Sequence, residues 1–344
     1  MDKDSRLFVG MDVGDRRVEV HILDEQGAVV EESRLATTGP ALRRKFARME
    51  PCRVALEVGS HSHWISRTLR ELGHEVVVAD PRRLRLIYAN PRKNDRVDAQ
   101  YLARLARLDP QLLFPVHHRN AQAQADLAVL RSRDGLVRAR TQLVNHARGM
   151  VKSFGARLPS CSAESFSSRA GPDLPAALVP ALQPVLENIA ALTAQIRGYD
   201  RQLRQMAAER YPETTGLRRI PGVGPLTSLA FVLTLEDPRR FRKSREVGAY
   251  LGLVPRQRQS SQRDPQLRIS KTGDAYLRRL LVGCAHYLLG PFGPACDLRG
   301  WGLRHSEGGG PNARKRAIVA VARKLAVLLH HLWLTGESYQ AARA

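Results

Sequence analysis

Two aspartates, Asp95 and Asp98, stand one helical turn apart in the segment RKNDRVDAQ at residues 92–100. If residues 95–108 form a helix, both carboxylates share its apolar face. Carboxylates on such a face are stabilised by a cation, and their hard oxygen atoms suit Mg²⁺ or Mn²⁺. A structural alternative is equally open from these residues alone. Asn94 or Asp95 would cap the helix, and Asp98 would lie in the first turn, where the helix dipole favours negative charge.

Two further acids favour the metal interpretation. Asp12 and Glu57 each come at the end of a short apolar run that predicts a strand. Strand ends in an α/β sheet are where sites form. Four converging carboxylates would repel one another unless divalent cations lay between them, and a two-metal site clamps both sides of a phosphate. The sequence therefore predicts a Mg²⁺ or Mn²⁺ site that acts on a phosphodiester, with the ligands Asp12, Glu57, Asp95 and Asp98.

The charge of the chain points to a polyanionic partner. Its 344 residues carry a formal charge of +22, and the basic excess is uneven. Residues 1–110 hold 20 Lys and Arg against 17 Asp and Glu, whereas residues 111–344 hold 35 against 16. With 43% hydrophobic residues the chain is not a disordered polycation. The balance predicts nucleic acid as the partner, bound mainly by the later two-thirds.

Other features narrow the class of protein. The four cysteines are scattered without metal-finger spacing, which is typical of reduced thiols in a cytosolic protein. The N-terminus does not resemble a signal peptide, and charges interrupt the longest apolar stretches. We expect a cytoplasmic protein with no membrane-spanning segment.

The elements that must position the acids follow an α/β pattern. Three β-type runs come first, and a strand, a helix and another strand follow, at residues 7–14, 17–27, 27–33, 52–59, 64–73 and 74–81. A helix is also predicted at residues 40–49. This order predicts a mixed sheet and is the order expected of an RNase H-like nuclease core.

Most of the rest of the chain is predicted to be helical. Long helical stretches are predicted at 95–108, 121–154, 181–209 and 312–335, and a Ser-, Gly- and Pro-rich loop or linker at 160–175. The stretch at 181–209 fits either a helical arm or a coiled-coil pair. We predict a catalytic domain at 1–155, a linker and helical arm at 156–212, and a mostly α-helical C-terminal domain at 213–344.

Two segments of the C-terminal domain carry candidate DNA contacts. The sequence LRRIPGVGPLTSLAFVL at 217–233 resembles a helix-hairpin-helix segment, in which the turn at Gly222 and Gly224 faces a phosphate. An ordinary turn between two core helices is the alternative. Residues 239–279 then hold twelve Lys and Arg around a polar loop. The candidate phosphate contacts there are Arg256, Arg258, Arg263, Arg268 and Lys271.

The same loop contains Ser260 and Ser261. A serine is a poor nucleophile unless something activates it, and no His or Asp motif nearby supplies a local triad. Local sequence alone therefore favours an ordinary loop residue.

Four blocks of the chain resemble the DEDD transposases of bacterial insertion sequences, a family that includes DNA invertases and bridge-RNA-guided recombinases. Three are GMDVGDRRVEVHILD, VALEVGSHSHWISRTL and KNDRVDAQYLARLA, and the fourth is YLGLVPRQRQSS with RISKTGDAYLRRLL. The resemblance implies a RuvC-like domain that binds Mg²⁺ through Asp12, Glu57, Asp95 and Asp98. It also implies a nucleophilic serine, which matches Ser260. The family usually has glycine after this serine, so Ser261 remains a rival.

The resemblance further implies donor and target DNA as substrates, a structured guide RNA and a dimer or tetramer. The hypothesis is a recombinase that cuts and rejoins DNA through a phosphoserine link. The alternative is a metal-dependent nuclease or Holliday-junction resolvase in which water attacks and Ser260 is structural. A third class is a non-catalytic nucleic-acid-binding protein that uses the basic surface alone.

Overall fold

The computed structural model describes residues 6–84, 94–260, 265, 267–307 and 309–341. The chain forms two compact units, Met1–Asn120 and Ala121–Ala344. The predicted division into domains at 1–155, 156–212 and 213–344 stays a prediction.

The first unit is a five-stranded sheet with helices on both faces. In chain order its elements are β1 (Phe8–Val13), β2 (Arg17–Leu23), β3 (Val29–Ala36), α1 (Gly39–Phe46), β4 (Arg53–Glu57), α2 (Ser62–Glu71), β5 (Glu75–Ala79) and α3 (Asp95–Leu108). The strand order is β3-β2-β1-β4-β5. β1 pairs antiparallel with β2 and β2 with β3, whereas β1–β4 and β4–β5 are parallel. The predicted mixed sheet is confirmed.

The two faces of the sheet bury different helices. Alternate residues of a strand point to opposite faces. Val9 and Met11 of β1 pack in one cluster with Leu42 of α1 and Ile65 of α2. On the other face, Ala55 of β4 belongs to a cluster with buried residues of α3, namely Leu102, Leu105 and Ala106. Met11 and Leu56 pack on the face that α1 and α2 cover. Asp12 follows Met11 and Glu57 follows Leu56, so both acids lie on the opposite face, which α3 covers.

Gly10 sets how closely α3 approaches β1. A Cβ atom added to Gly10 would overlap the carbonyl oxygen of Ala99 and the backbone nitrogen of Ala103. The helix backbone therefore lies directly on this strand, and only glycine leaves room for it. This contact holds the first turn of α3 beside the end of β1.

Gly10→Ala is expected to destabilise the first unit by about 3 kcal/mol, because the methyl group meets backbone atoms that cannot rotate away. Urea unfolding followed by circular dichroism measures the loss. Gly59→Ala is the matched control, since a Cβ atom there meets nothing within 4 Å. Equal midpoints for the two variants would contradict the close approach of α3.

The second unit is helical. Its helices are α4 (Ala121–Ser153), α5 (Phe166–Ala170), α6 (Val179–Arg210), α7 (Thr214–Leu217), α8 (Pro225–Leu235), α9 (Glu246–Tyr250), α10 (Ala275–Leu289), α11 (Asp297–Arg304) and α12 (Pro311–Thr335). The prediction of a mostly helical C-terminal part is confirmed for the residues described here.

The long helices α4 and α6 pack side by side. Val144 and Val151 of α4 form one buried cluster with Leu182 and Ile189 of α6. The segment at 160–175, predicted as a loop or linker, contains the short helix α5. Its Phe166 and Ala170 are fully buried in that same cluster, because two apolar residues four positions apart form one face of a helical turn.

Two helices are long and apolar enough to cross a membrane by length and composition alone. They are Ala176–Arg210, with a mean hydropathy of 1.3, and Asn312–Thr335, with 1.5. This is weak evidence, because the core helix of a soluble protein passes the same test. In α12, Ala317, Val321 and Leu325 are fully buried in the core of the second unit.

Candidate active site

Asp98 is the most buried of the four predicted ligands, with 5% of its surface exposed. It lies in the first turn of α3, immediately before Ala99, whose carbonyl oxygen meets Gly10. The cap of α3 is Asn94, whose side chain accepts a hydrogen bond of 2.9 Å from the Val97 N–H. Asn94 is therefore the cap and Asp98 lies in the first turn, as the structural alternative predicts, so the metal interpretation depends on the other carboxylates.

Asp12 and Glu57 end neighbouring strands. β1 and β4 are parallel, and their register pairs Met11 with Leu56. Asp12 and Glu57 are the next residues of each strand, and both side chains are half-buried. Both lie on the α3 face of the sheet. Asp12 is two residues beyond Gly10 in β1. The backbone therefore brings Asp12, Glu57 and Asp98 to one edge of the sheet beneath the start of α3.

The position of Asp95 contradicts the prediction that both aspartates share the apolar face of the helix. It is exposed, whereas Asp98, Leu102 and Leu105 are buried. The reason is its place at the first residue of α3, before the helix reaches the sheet. Among the residues described, no three His, Cys, Asp or Glu side chains converge as a metal site. The fit to a divalent cation rests on oxygen donors, on the burial of Asp98 and on the shared edge.

The histidines after Glu57 contact neighbouring side chains. His61 accepts a hydrogen bond of 3.1 Å from the Trp64 indole at its Nδ1 atom. His63 stacks on His118 at a centroid distance of 3.8 Å, and His118 Nε2 lies 2.8 Å from the Ser62 hydroxyl. Burial, with the neighbouring His63, lowers the pKa of His118 to about 4. His118 is therefore uncharged at neutral pH, and it is buried.

Ser260 lies in the second unit, in a loop whose two flanking segments run side by side. The segment returns on itself through three backbone hydrogen bonds: Arg256 N–H to Arg268 O at 3.0 Å, Ser270 N–H to Val254 O at 2.8 Å, and Lys271 N–H to Gly252 O at 3.1 Å. Ser260 is exposed. The predicted polar loop is thus closed at its base while its serine faces solvent.

Two glycines close the base of this stem, which comprises residues 250–256 and 268–273. Gly252 and Gly273 have positive φ angles of 66° and 69°. A Cβ atom on Gly252 would overlap backbone atoms of Thr272, and one on Gly273 would overlap the Tyr250 carbonyl oxygen. The two limbs therefore meet backbone to backbone.

The predicted phosphate contacts of the loop are exposed where the structure describes them. Arg256, Arg258, Arg268 and Lys271 all face solvent. Ser261 and Arg263 lie outside the described residues.

The predicted hairpin turn at Gly222 and Gly224 is present, but the helix before it is only Thr214–Leu217. Gly222 has a φ angle of 80°, and a Cβ atom there would lie 3.1 Å from Tyr287 Cδ1. Gly224 is the N-cap of α8, a helix with nine buried residues. An ordinary turn into a core helix accounts for this geometry, and phosphate contact at the turn stays a prediction.

Both parts of the chain match families of known proteins. Residues 9–155 match the DEDD_Tnp_IS110 family, described as "Transposase", and residues 215–294 match the family described as "Transposase IS116/IS110/IS902 family". The chain belongs to the IS110/IS116/IS902 family of transposases. The DEDD match contains all four predicted carboxylates, and the second match contains Ser260.

Similar proteins span most of the length of this transposase. A "Probable family 20 transposase" of Pseudomonas aeruginosa is 32% identical over 80% of this chain and 81% of its own length. The "Transposase for insertion sequence element IS1111A" of Coxiella burnetii is 30% identical over 98% and 92% respectively. The "Transposase for insertion sequence element IS1328" of Yersinia enterocolitica is 32% identical over 81% and 82%.

Membership of the family has general consequences. It implies an RNase H-like fold for the DEDD domain, which agrees with the mixed sheet of the first unit. It implies that the transposase cuts and rejoins DNA, and that its DEDD domain uses divalent metal ions.

Proposed function

We propose that this transposase cuts and rejoins DNA through a phosphoserine link at Ser260, with Mg²⁺ held by Asp12, Glu57, Asp95 and Asp98. The observation that carries the metal assignment is the burial of Asp98 at the edge where Asp12 and Glu57 end neighbouring strands. A buried carboxylate beside two others is costly unless a cation neutralises the group. Asp95, on the exposed first residue of α3, would complete the set from the solvent side.

The chemistry of each residue follows from its position. The Ser260 hydroxyl attacks the scissile phosphorus, so that an Oγ–P bond forms and the bond from phosphorus to the leaving DNA oxygen breaks. The hydroxyl proton passes to solvent, and the leaving oxygen takes up a proton. Mg²⁺ supplies stabilisation of the negative charge that develops on the phosphoryl oxygens. Rejoining reverses the exchange when another DNA hydroxyl displaces the serine.

The exposed position of Ser260 on a closed stem supports this role. A strand of DNA can reach an exposed serine, and a stem fixed by hydrogen bonds limits the positions that the serine can adopt. Arg256, Arg258 and Arg268 on the same segment would hold the flanking phosphates.

The proposal includes partners that the family resemblance suggests. A structured guide RNA would select donor and target DNA, and a dimer or tetramer would hold the DNA ends in the cytoplasm. The turn at Gly222 and Gly224 would contact a phosphate. The division into domains at 155 and 212 is part of the same proposal.

The experiment that tests the proposal is a search for the covalent intermediate. Labelled DNA carrying an element end is incubated with the transposase, its candidate flanking RNA and Mg²⁺, and is then resolved on a denaturing gel. We expect a slowly migrating protein–DNA adduct that disappears after protease treatment. Free cleaved ends without any adduct would instead favour the nuclease that uses water.

Removal of the loop cations is expected to flatten the salt dependence of DNA binding. Each phosphate contact contributes about −0.9 to the slope of log affinity against log salt on duplex DNA. Replacing Arg256, Arg258 and Arg263 with glutamine should therefore reduce the magnitude of the slope by about 2 to 3. Fluorescence anisotropy over a salt series measures it.

The control removes two exposed cations from the first unit, Arg44→Gln with Arg48→Gln. We expect this control to leave the slope almost as in the wild type. A loop variant with an unchanged slope would show that the loop does not follow the DNA backbone.

A further inference from the structure

One face of α12 lines a cavity in the second unit that shares only Arg268 and Lys271 with the predicted sites. The cavity has a volume of about 1050 Å³. Its walls are α12, the return limb of the serine stem at residues 267–271, and Trp301 and His305 at the end of α11. We call it the α12 groove.

The groove is lined by cations, and none of the described residues that line it is a carboxylate. Six basic side chains face it, namely Arg268, Lys271, Lys315, Arg316, Arg323 and Lys324. None of these six forms a salt bridge with an acidic residue within the described part of the chain. Elsewhere in this unit arginines are paired, as in Arg133 with Asp200 at 2.7 Å and Arg279 with Asp134 at 2.5 Å. Unneutralised cations around a concave surface attract a polyanion.

The floor of the groove is apolar. Val319, Ala320 and Val327 of α12 face it and are half-buried, between the exposed cations of the same helix face. Leu267 and Ile269 add apolar surface from the opposite wall. A cationic rim over an apolar floor fits a ligand with charged phosphates along one side and flat, weakly polar groups along the other.

The wall also offers aromatic surface. The rings of Trp301 and His305 are stacked at a centroid distance of 5.1 Å and an angle of 11°. Lys324 Nζ lies 4.4 Å from the Trp301 ring centroid. Proteins that bind single-stranded nucleic acid combine a basic groove with aromatic side chains on which bases stack. Small-ligand sites occupy about 300–1000 Å³, so this groove is large enough for a few nucleotides.

We propose that the α12 groove binds a short single-stranded segment of DNA, the unpaired nucleotides that flank the scissile phosphate. The choice of DNA rests on the proposed function, because residues 267–271 form both a wall of the groove and the return limb of the stem that carries Ser260. A strand lying in the groove leads to that segment. The groove then holds the DNA end during exchange, through phosphates on the rim and bases over the floor.

The test is direct binding of a short fluorescein-labelled oligothymidylate to the full chain without Mg²⁺, so that no cleavage occurs. The groove variant carries Lys315→Gln, Arg316→Gln and Lys324→Gln. The control carries Arg197→Gln, Arg201→Gln and Arg204→Gln, three exposed arginines of α6. We expect the groove variant to lose about tenfold or more in affinity and about 2 units of salt slope. The control should bind almost as the wild type does, and thermal unfolding should show both variants folded.

A second readout locates the strand. The chain has three tryptophans, Trp64, Trp301 and Trp333. Oligothymidylate should quench part of the intrinsic fluorescence, and Trp301→Phe should remove that quenching. Equal affinities of the groove and control variants, or quenching that survives Trp301→Phe, would overturn the proposal. Much tighter binding of oligouridylate through the same residues would also overturn it and assign the groove to RNA.

These outcomes are separable from those for the serine chemistry. Ser260→Ala should bind oligothymidylate as the wild type does, because the serine is not needed for binding. If the wild type forms no adduct but the groove variant still loses affinity, the serine assignment fails while the groove remains a binding site for single strands. If the adduct forms and the groove variant binds like its control, the groove proposal alone fails.

Discussion

Ser260→Ala should abolish recombination and the covalent protein–DNA adduct, with a loss of several orders of magnitude in the rate of strand exchange. Without the nucleophile no Oγ–P bond forms, and the cut strand cannot be held for rejoining. Folding should be preserved, because Ser260 is exposed and surface substitutions usually change stability by about 0.5 kcal/mol or less. The adduct is measured on a denaturing gel and stability by thermal unfolding.

Ser261→Ala is the matched control for this prediction, one residue along the same loop. We expect it to retain the adduct. An adduct that persists in Ser260→Ala but vanishes in Ser261→Ala would move the nucleophile by one residue. Cleavage without adduct in the wild type, unaffected by either change, would leave both serines structural and support a nuclease.

Asp98→Asn should reduce DNA cleavage in Mg²⁺ by about a hundredfold or more, while binding of DNA and RNA stays close to that of the wild type. An amide has nearly the shape of the carboxylate but lacks the charge that binds a cation. Asp95, in the same turn, is exposed and therefore does not occupy the buried position of Asp98. Single-turnover cleavage over a Mg²⁺ titration measures both the rate and the metal dependence.

The control for this second prediction is Asp15→Asn, which removes an exposed carboxylate three residues beyond Asp12 without touching a proposed ligand. It should cleave at nearly the wild-type rate. If Asp98→Asn did so too, the carboxylate would serve only the dipole of α3 and the metal assignment would be wrong. A defect that higher Mg²⁺ concentrations relieve would support a ligand role.

The elements of the first unit could be predicted because each carries its own local pattern. Val18, Val20 and Ile22 alternate with polar residues, and β4 and β5 are short apolar runs between breakers. The short helix α5 was missed, since Phe166 stands among serines and its helical form depends on burial against α4 and α6. Local composition favours a loop there, and long-range packing overrides it.

Less of the candidate site than of the fold could be predicted from the sequence. The spacing of Asp95 and Asp98 predicts one shared face, but only Asp98 is buried, because the sheet meets α3 after its first residue. The contact at Gly10 that places this turn beside Asp12 and Glu57 joins residues about ninety apart, and no periodicity encodes it. The α12 groove likewise joins three separate segments. Its one local signal, the adjacent cations Lys315 and Arg316 followed two helical turns later by Arg323 and Lys324, also fits an ordinary solvated helix face.

The closed stem beneath Ser260 has a consequence for how this protein can evolve. Gly252 and Gly273 let its two limbs meet backbone to backbone, so the base of the stem is fixed by residues outside the tip. The described tip residues 257–260 take no part in the backbone contact at these glycines, whereas either glycine cannot change without disturbing the packing below. Preference for a different DNA sequence around the cut could therefore arise by substitution in the tip alone, one residue at a time, while the fold and the carboxylate edge are inherited intact.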